Sequence, residues 1–163
     1  MAQVRAAVRA YVAIDPDPSA VLTKLDQLTA VMPVSDFVTI VYLLFDASLD
    51  RFSLISAGHP PAILVPSDAA VSVLWPAPGT PLGLSMDRTA ASFALAEGAT
   101  VLLYSDGLIE RRDEAIDVGI DRLARDAQRL ARGQLRAELK TLAGAAEHVD
   151  DDVTLLAIRR QTT

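Results

Sequence analysis

Val101-Leu102-Leu103-Tyr104-Ser105-Asp106-Gly107 is the stretch around which the rest of the chain is organised. Its first four residues are apolar or aromatic and read as a buried strand. Ser-Asp-Gly stops that strand and puts a carboxylate at its end. A second junction of the same kind lies near the C-terminus. There His148-Val149-Asp150-Asp151-Asp152 runs into the apolar strand Val153-Thr154-Leu155-Leu156-Ala157-Ile158. Two strand ends tipped with carboxylate point to a hard-cation site, since such ions prefer oxygen ligands. Each junction also has a plainer reading. Asp-Gly is among the commonest turn dipeptides, and three aspartates in a loop can simply be solvated. The pair favours a site, because an acidic cluster at the mouth of a buried strand is costly without a counter-ion.

Bulk properties narrow the function classes. The 163 residues make one domain with room for a substantial core. With 51% of them hydrophobic, the chain is not disordered. A net charge of −6 argues against nucleic acid or an anionic membrane surface as partner. The basic residues read as lying in helical segments, mixed with acids and forming no stripe. The absence of cysteine excludes disulfides, thiolate nucleophiles and cysteine-ligated zinc, and fits the cytoplasm. Two histidines are too few for a multi-histidine metal site. No apolar run reaches membrane-spanning length, and no signal-peptide pattern opens the chain.

Periodicity lays out the elements. Met1, Val4, Val8, Tyr11 and Val12 form one face of a helix over residues 1–14, with Arg5 and Arg9 opposite. Its apolar stripe is already running at residue 1, with no cap before it. Asp17 and Pro18 predict the cap and first turn of a second helix, with Val21, Leu22, Leu25 and Leu28 buried and Pro33 closing it. Strands are expected over 37–45, 51–56, 62–65, 71–75 and 89–95, the first four as two hairpins. After Gly107 the period changes. Ile116, Ile120, Leu123, Ala127 and Leu130 predict a helix broken at Gly133, and Leu135, Leu139, Leu142 and Ala146 predict another. The chain then ends in the strand 153–158. Helices bracketing a largely antiparallel sheet give an α+β class. Two helices between the last two strands leave those strands free to lie side by side, bringing Asp106 and Asp151 together. His59 reads as a loop-fixing residue or a general acid, Gly79-Thr80-Pro81-Leu82-Gly83 as a structural turn or flap, Trp75 as packing and Thr154 as a strand former.

Four segments in order carry a resemblance. Ser56-Ala57-Gly58-His59-Pro60-Pro61, Gly79-Thr80-Pro81-Leu82-Gly83, Leu103-Tyr104-Ser105-Asp106-Gly107-Leu108-Ile109-Glu110 and Asp151-Asp152-Val153-Thr154-Leu155-Leu156 resemble the SpoIIE-type (RsbU-like) branch of the PPM metal-dependent serine/threonine phosphatases. The resemblance implies an α-β-β-α sandwich, with residues 1–160 as the C-terminal two-thirds of such a domain and 161–163 as a tail. It implies a dinuclear Mg²⁺ or Mn²⁺ centre with Asp106 and Asp151 as ligands. Asp152 falls where related phosphatases often carry Asn and is implied to support the ligands or to serve as an alternate. The family's chemistry is hydrolysis by metal-activated water, with no phosphoenzyme. Its substrates are phosphorylated anti-anti-sigma-factor proteins in the partner-switching control of bacterial transcription, and its domains usually sit beside sensor domains.

The departures set further expectations. An early Gly-Asp-x-x-Asp-like strand and an Asp-x-x-Gly-His-Gly turn, both sources of ligands in the family, are absent. The sandwich is therefore expected to lack its first strands and the metal site to be incomplete. The chain reads as a fragment, inactive or weakly active alone, with uncovered surface through which it pairs as a homodimer. Ser56 stands where the family usually has Asn, and Arg111-Arg112 follows Glu110 directly. The rival reading is a non-catalytic phosphatase-fold binding module in a sigma-factor pathway. A third is a plain α+β domain with incidental acidic turns.

Overall fold

Helix formation at the N-terminal end follows the apolar spacing. In the computed structural model, which describes residues 2–32, 37–46, 48–75, 79–84, 87–144 and 152–161, α1 spans Ala2–Ile14. Val4 is buried, Ala7, Val8, Tyr11 and Val12 pack beside it, and Arg5 and Arg9 are exposed. α2 spans Pro18–Val31. Asp17 Oδ1 accepts the Ala20 N–H at 2.8 Å, and Pro18 sits in the first turn, where a missing N–H costs nothing. Val21, Leu22 and Leu25 form its buried face. The expected terminator, Pro33, lies outside the described residues. The helix closes with the Met32 N–H on the Thr29 carbonyl.

The chain divides into two compact units, Met1–His59 with Trp75–Ala94, and Pro60–Leu74 with Leu95–Thr163. In the first, β1 (Ile40–Asp46) and β2 (Arg51–Ala57) form an antiparallel hairpin in register from Ile40↔Ala57 to Asp46↔Arg51. The strand expected from Phe37 begins only at Ile40. Phe37 is 77% exposed, and the Val38 carbonyl instead accepts the Leu82 N–H at 2.9 Å. Asp46 shapes the turn by accepting the Ser48 N–H and hydroxyl, and these bonds hold its carboxyl below the usual range. β5 (Ala91–Ala94) pairs along the other side of β2, giving the order β1-β2-β5. Phe45, Phe52 and Phe93 follow one another across the three strands, with ring centroids 5.6 Å apart in each adjacent pair.

In the second unit β3 (Ala62–Val65), β4 (Ser72–Leu74), β6 (Thr100–Tyr104) and β7 (Leu155–Arg159) make an antiparallel sheet of order β4-β3-β6-β7. β6 has a partner on each side and is almost wholly buried, as its unbroken apolar run requires. α3 (Ile116–Ala127) and α4 (Leu135–Gly144) supply Ile120, Leu123, Ala127 and Leu142 to a core shared with Ile63, Val65, Leu102 and Tyr104. The helix expected to run through Leu130 tightens into a 3-10 turn over Gln128–Ala131. Arg159 takes up the carbonyls freed there. Its guanidinium donates to Leu130 O, to Gly133 O at 3.2 Å and to Thr100 Oγ1 at 2.9 Å. Each unit is an antiparallel sheet with its own helices, so the class is α+β.

A buried ion pair organises the loops of the first unit. Arg88 Nε donates to Asp26 Oδ2 at 2.6 Å and Nη2 to Oδ1 at 3.0 Å, with the two side chains 2% and 0% exposed. The remaining Arg88 N–H groups reach the carbonyls of Thr80 at 2.8 Å, Pro81 at 3.0 Å and Ser56 at 3.4 Å. Asp26 Oδ1 also accepts the Gly83 N–H at 2.8 Å. The α2 segment at Asp26, the end of β2 at Ser56, the turn over Thr80–Gly83 and the segment carrying Arg88 are thus tied together by one carboxylate–guanidinium pair. The basic residues are not confined to helices as expected: Arg88 lies outside any helix and does this structural work.

Two predictions follow from these buried groups. Removing one member of the pair leaves the other charge buried and alone, so Asp26→Leu and Arg88→Met should each lose about 3–5 kcal/mol in urea unfolding. The double variant should lose well under the sum, whereas additive losses would show that the pair is not coupled. Tyr104 is 3% exposed and its hydroxyl has no hydrogen-bond partner among the described residues. Tyr104→Phe should therefore stabilise by about 1 kcal/mol at neutral pH. Burial pushes the Tyr104 phenol up, while an unfolded tyrosine titrates near pH 10. The native state binds the proton more tightly, so this contribution is complete below about pH 10 and is lost as pH rises above it. Unfolding at neutral and alkaline pH should show the Phe variant free of that loss. Destabilisation by Tyr104→Phe would reveal a partner for the hydroxyl.

Candidate metal centre at the ends of β6 and β7

β6 and β7 run antiparallel in register from Thr100↔Arg159 to Tyr104↔Leu155. That pairing sets the end of β6 against the beginning of β7, so two acidic motifs far apart in sequence emerge at one edge. Asp106 is exposed and opens a 3-10 turn, Asp106–Leu108. Its Oδ1 accepts the Gly107 N–H at 2.9 Å, and its carbonyl accepts the N–H groups of Ile109 at 2.8 Å and Glu110 at 2.9 Å. Asp152 is exposed as well, and its carbonyl accepts the Ser105 hydroxyl at 3.0 Å. β7 starts at Leu155, two residues later than its apolar run suggests, because the preceding backbone is bonded to Ser105 rather than to a regular ladder. Asp151, the other expected ligand, lies outside the described residues.

The turn that carries Asp106 is anchored to α3. Ile109 is 1% exposed. Its carbonyl accepts Arg122 Nη2 at 3.2 Å, and Arg122 Nη1 is paired with Glu114. Gly119 allows the approach: a Cβ there would lie 2.1 Å from the Ile109 oxygen. A backbone carbonyl on one side and a helix on the other leave nothing flexible to yield.

The donors present are hard oxygens, which suit Mg²⁺ or Mn²⁺. The Gly107 bond engages one lone pair of Asp106 and leaves the carboxylate able to bind a cation. Among the described residues no group of three or more His, Cys, Asp or Glu side chains gathers. Asp106 and Asp152 carry oxygen donors of the type that such a cation takes.

The other expected residues take structural places. The His59 carbonyl accepts the Ser56 hydroxyl at 3.2 Å, and its ring Nδ1 lies 3.4 Å from Thr39 Oγ1, so the residue fixes its link. Gly58 has a φ of 68°, and a Cβ there would come within 2.8 Å of the Pro81 nitrogen. The Gly79–Gly83 segment is a turn held by Arg88. Asp26, Arg88 and Gly119 lie outside the motifs, and Ser105 was read there only as part of the Ser-Asp-Gly stop. Their partners are distant in sequence, and only the acidic and basic residue types hinted at the ion pair. Thr154, read as a strand former, donates its N–H to Ser105 Oγ at 2.8 Å.

Gly119→Ala should force the Ile109 carbonyl and the Asp106 turn off α3, at a cost of about 3 kcal/mol, the upper end for overpacking. Thermal unfolding and the amide shifts of residues 106–110 check this. An unshifted variant of wild-type stability would show that the contact is loose.

Comparisons with known proteins agree with this fold. The family described as Stage II sporulation protein E (SpoIIE) matches residues 1–161. The chain is 32% identical over 76 residues to phosphoserine phosphatase RsbP of Bacillus subtilis (strain 168), a match covering 45% of this chain and 19% of that protein. The crystal structure of the RsbU and RsbW domains of Rv1364c from Mycobacterium tuberculosis superposes with a TM-score of 0.87 at 30% identity, over 99% of this chain and 47% of that one. The SiaA-PP2C domain of Pseudomonas aeruginosa shares the fold, with a TM-score of 0.79 at 21% identity, over 96% of this chain and 66% of that one. The chain thus spans less than half the length of the first two proteins. No helix among the described residues is long and apolar enough to cross a membrane. The family match over residues 1–161, together with the shared architecture, establishes that the chain belongs to the SpoIIE family, the RsbU-like branch of the PPM-type phosphatase domains.

Proposed function

We propose that this chain forms the part of a protein serine/threonine phosphatase that holds Asp106 and Asp151 for a Mg²⁺ or Mn²⁺ centre. The substrate in this reading is a phosphoserine or phosphothreonine on a regulator of the anti-anti-sigma-factor type in the cytoplasm, with sensor domains elsewhere in the parent protein. One observation carries the reading: the Ser105 hydroxyl joins the Asp106 turn to the main chain of the Asp-Asp-Val-Thr motif. Exposed aspartates at one sheet edge repel a phosphate dianion unless cations lie between them. When bound, the metals supply an activated water and neutralise the phosphoryl oxygens. The chain's own part is to hold carboxylate oxygens in place. Asp106 is oriented by the Gly107 N–H and by a turn locked to α3, and Asp152 serves in this reading as support or alternate donor.

The second reading is a phosphatase-fold module that docks a regulator without catalysis. Calorimetric titration with Mn²⁺ separates the two. The phosphatase reading expects binding that falls at least about tenfold in both Asp106→Asn and Asp151→Asn. Binding indifferent to both substitutions, or none in the wild-type chain, would overturn it in favour of the docking module.

A further inference from the structure

Ser105 stands at the head of the Asp106–Leu108 turn with extended backbone, φ −79° and ψ 158°. A serine in that place ordinarily turns its hydroxyl onto the N–H groups of the turn it opens. Ser105 makes no such bond. Its hydroxyl points across to the other strand, accepting the Thr154 N–H at 2.8 Å and donating to the Asp152 carbonyl at 3.0 Å. The backbone explains why. Beyond Tyr104↔Leu155 the next antiparallel partners are Ser105 and Thr154. The Ser105 N–H donates to the Thr154 carbonyl at 3.0 Å, as a ladder requires. The Ser105 carbonyl, however, accepts the Leu108 N–H at 3.1 Å and so closes the turn. The side-chain oxygen replaces it as the acceptor for Thr154, and its proton then reaches one peptide further, to Asp152.

We propose that Ser105 is a positioning residue for the acidic site: its hydroxyl holds the main chain of the Asp-Asp-Val-Thr motif at a fixed place beside the Asp106 turn. The proposal rests on the metal reading above and adds the group that sets the spacing of the carboxylates. Asp106 follows Ser105 directly, and Asp152 carries the carbonyl that Ser105 binds. One hydroxyl therefore touches both sides of the site without being a ligand. The role needs a small side chain with a hydroxyl on its Cβ, a strong donor and acceptor at once, which serine and threonine supply. Groups that orient metal ligands from behind typically alter metal affinity by about 10–100-fold when removed.

The test uses the isosteric pair Ser105→Thr and Ser105→Val, with Ser105→Ala alongside. Mn²⁺ alone is the probe, titrated by calorimetry, and amide exchange at Thr154 is followed by NMR without metal. Protection at Val101 and Leu103, whose N–H groups share the β7-facing side of β6 with that of Ser105, reports whether the β6–β7 ladder is intact. The Thr variant should keep both the wild-type Mn²⁺ affinity and a protected Thr154 amide. The Val and Ala variants should exchange Thr154 about tenfold faster or more and bind Mn²⁺ about tenfold more weakly, with Val101 and Leu103 unchanged. Wild-type affinity in Val or Ala would overturn the positioning role while leaving the metal reading intact. Failure of the wild-type chain to bind Mn²⁺ would overturn the metal reading and the positioning role with it. If Val and Ala lose the ladder, the Thr variant decides: weakened Mn²⁺ binding with Thr154 still protected contradicts the proposal.

Discussion

The antiparallel pairing of β6 with β7 is the constraint on which the candidate site depends. Two acidic motifs separated by two helices can share one edge only if the strands that carry them lie side by side with opposite directions. The register from Thr100↔Arg159 to Tyr104↔Leu155 does that, and it is secured at both ends by polar side chains. At one end Arg159 bonds Thr100 and the carbonyls that close the 3-10 turn before α4. At the other Ser105 bridges to Thr154 and Asp152. Between them the strands contribute Leu102, Tyr104 and their neighbours to a core, which makes a one-residue slip costly because it would turn those side chains to the other face.

The first unit shows the same principle in a different form. Its loop around Thr80, Pro81 and Gly83 lies outside the strands, so Arg88 and Asp26 take up its backbone groups and tie it to Ser56 near the end of β2. A buried charge pair of this kind contributes little net stability beyond what an apolar pair gives. Its value lies in geometry, since a planar guanidinium with fixed donor directions admits few loop conformations. In both units irregular backbone is pinned by one side chain that reaches far along the sequence.

What could be read from the sequence was whatever leaves a local signature. The Asp17-Pro18 cap, the β1–β2 and β3–β4 hairpins, the buried run of β6 and the helix face of Ile120, Leu123 and Ala127 all did so. Element ends were less legible where tertiary bonds decide them. Phe37 looks like a strand residue but stands exposed before Ile40, and Leu130 keeps the helical spacing while its backbone tightens. The anchors left no signature. Asp26 and Arg88 lie 62 positions apart, and nothing near either residue names the other. Ser105 looked like a turn residue because its local role is a turn, while its side chain acts 47 and 49 positions away. Gly119 is invisible in periodicity, because its importance is the carbonyl pressed against it.

The central claim is that the β6 and β7 ends present carboxylates for one cation site. Crystals of the chain grown or soaked with Mn²⁺ and measured at the manganese absorption edge test this most directly. The account predicts an anomalous peak within about 2.5 Å of an Asp106 carboxylate oxygen, with Asp151 or Asp152 on its other side. A well-ordered Asp106 with no peak beside it, or manganese bound only elsewhere on the chain, would contradict it.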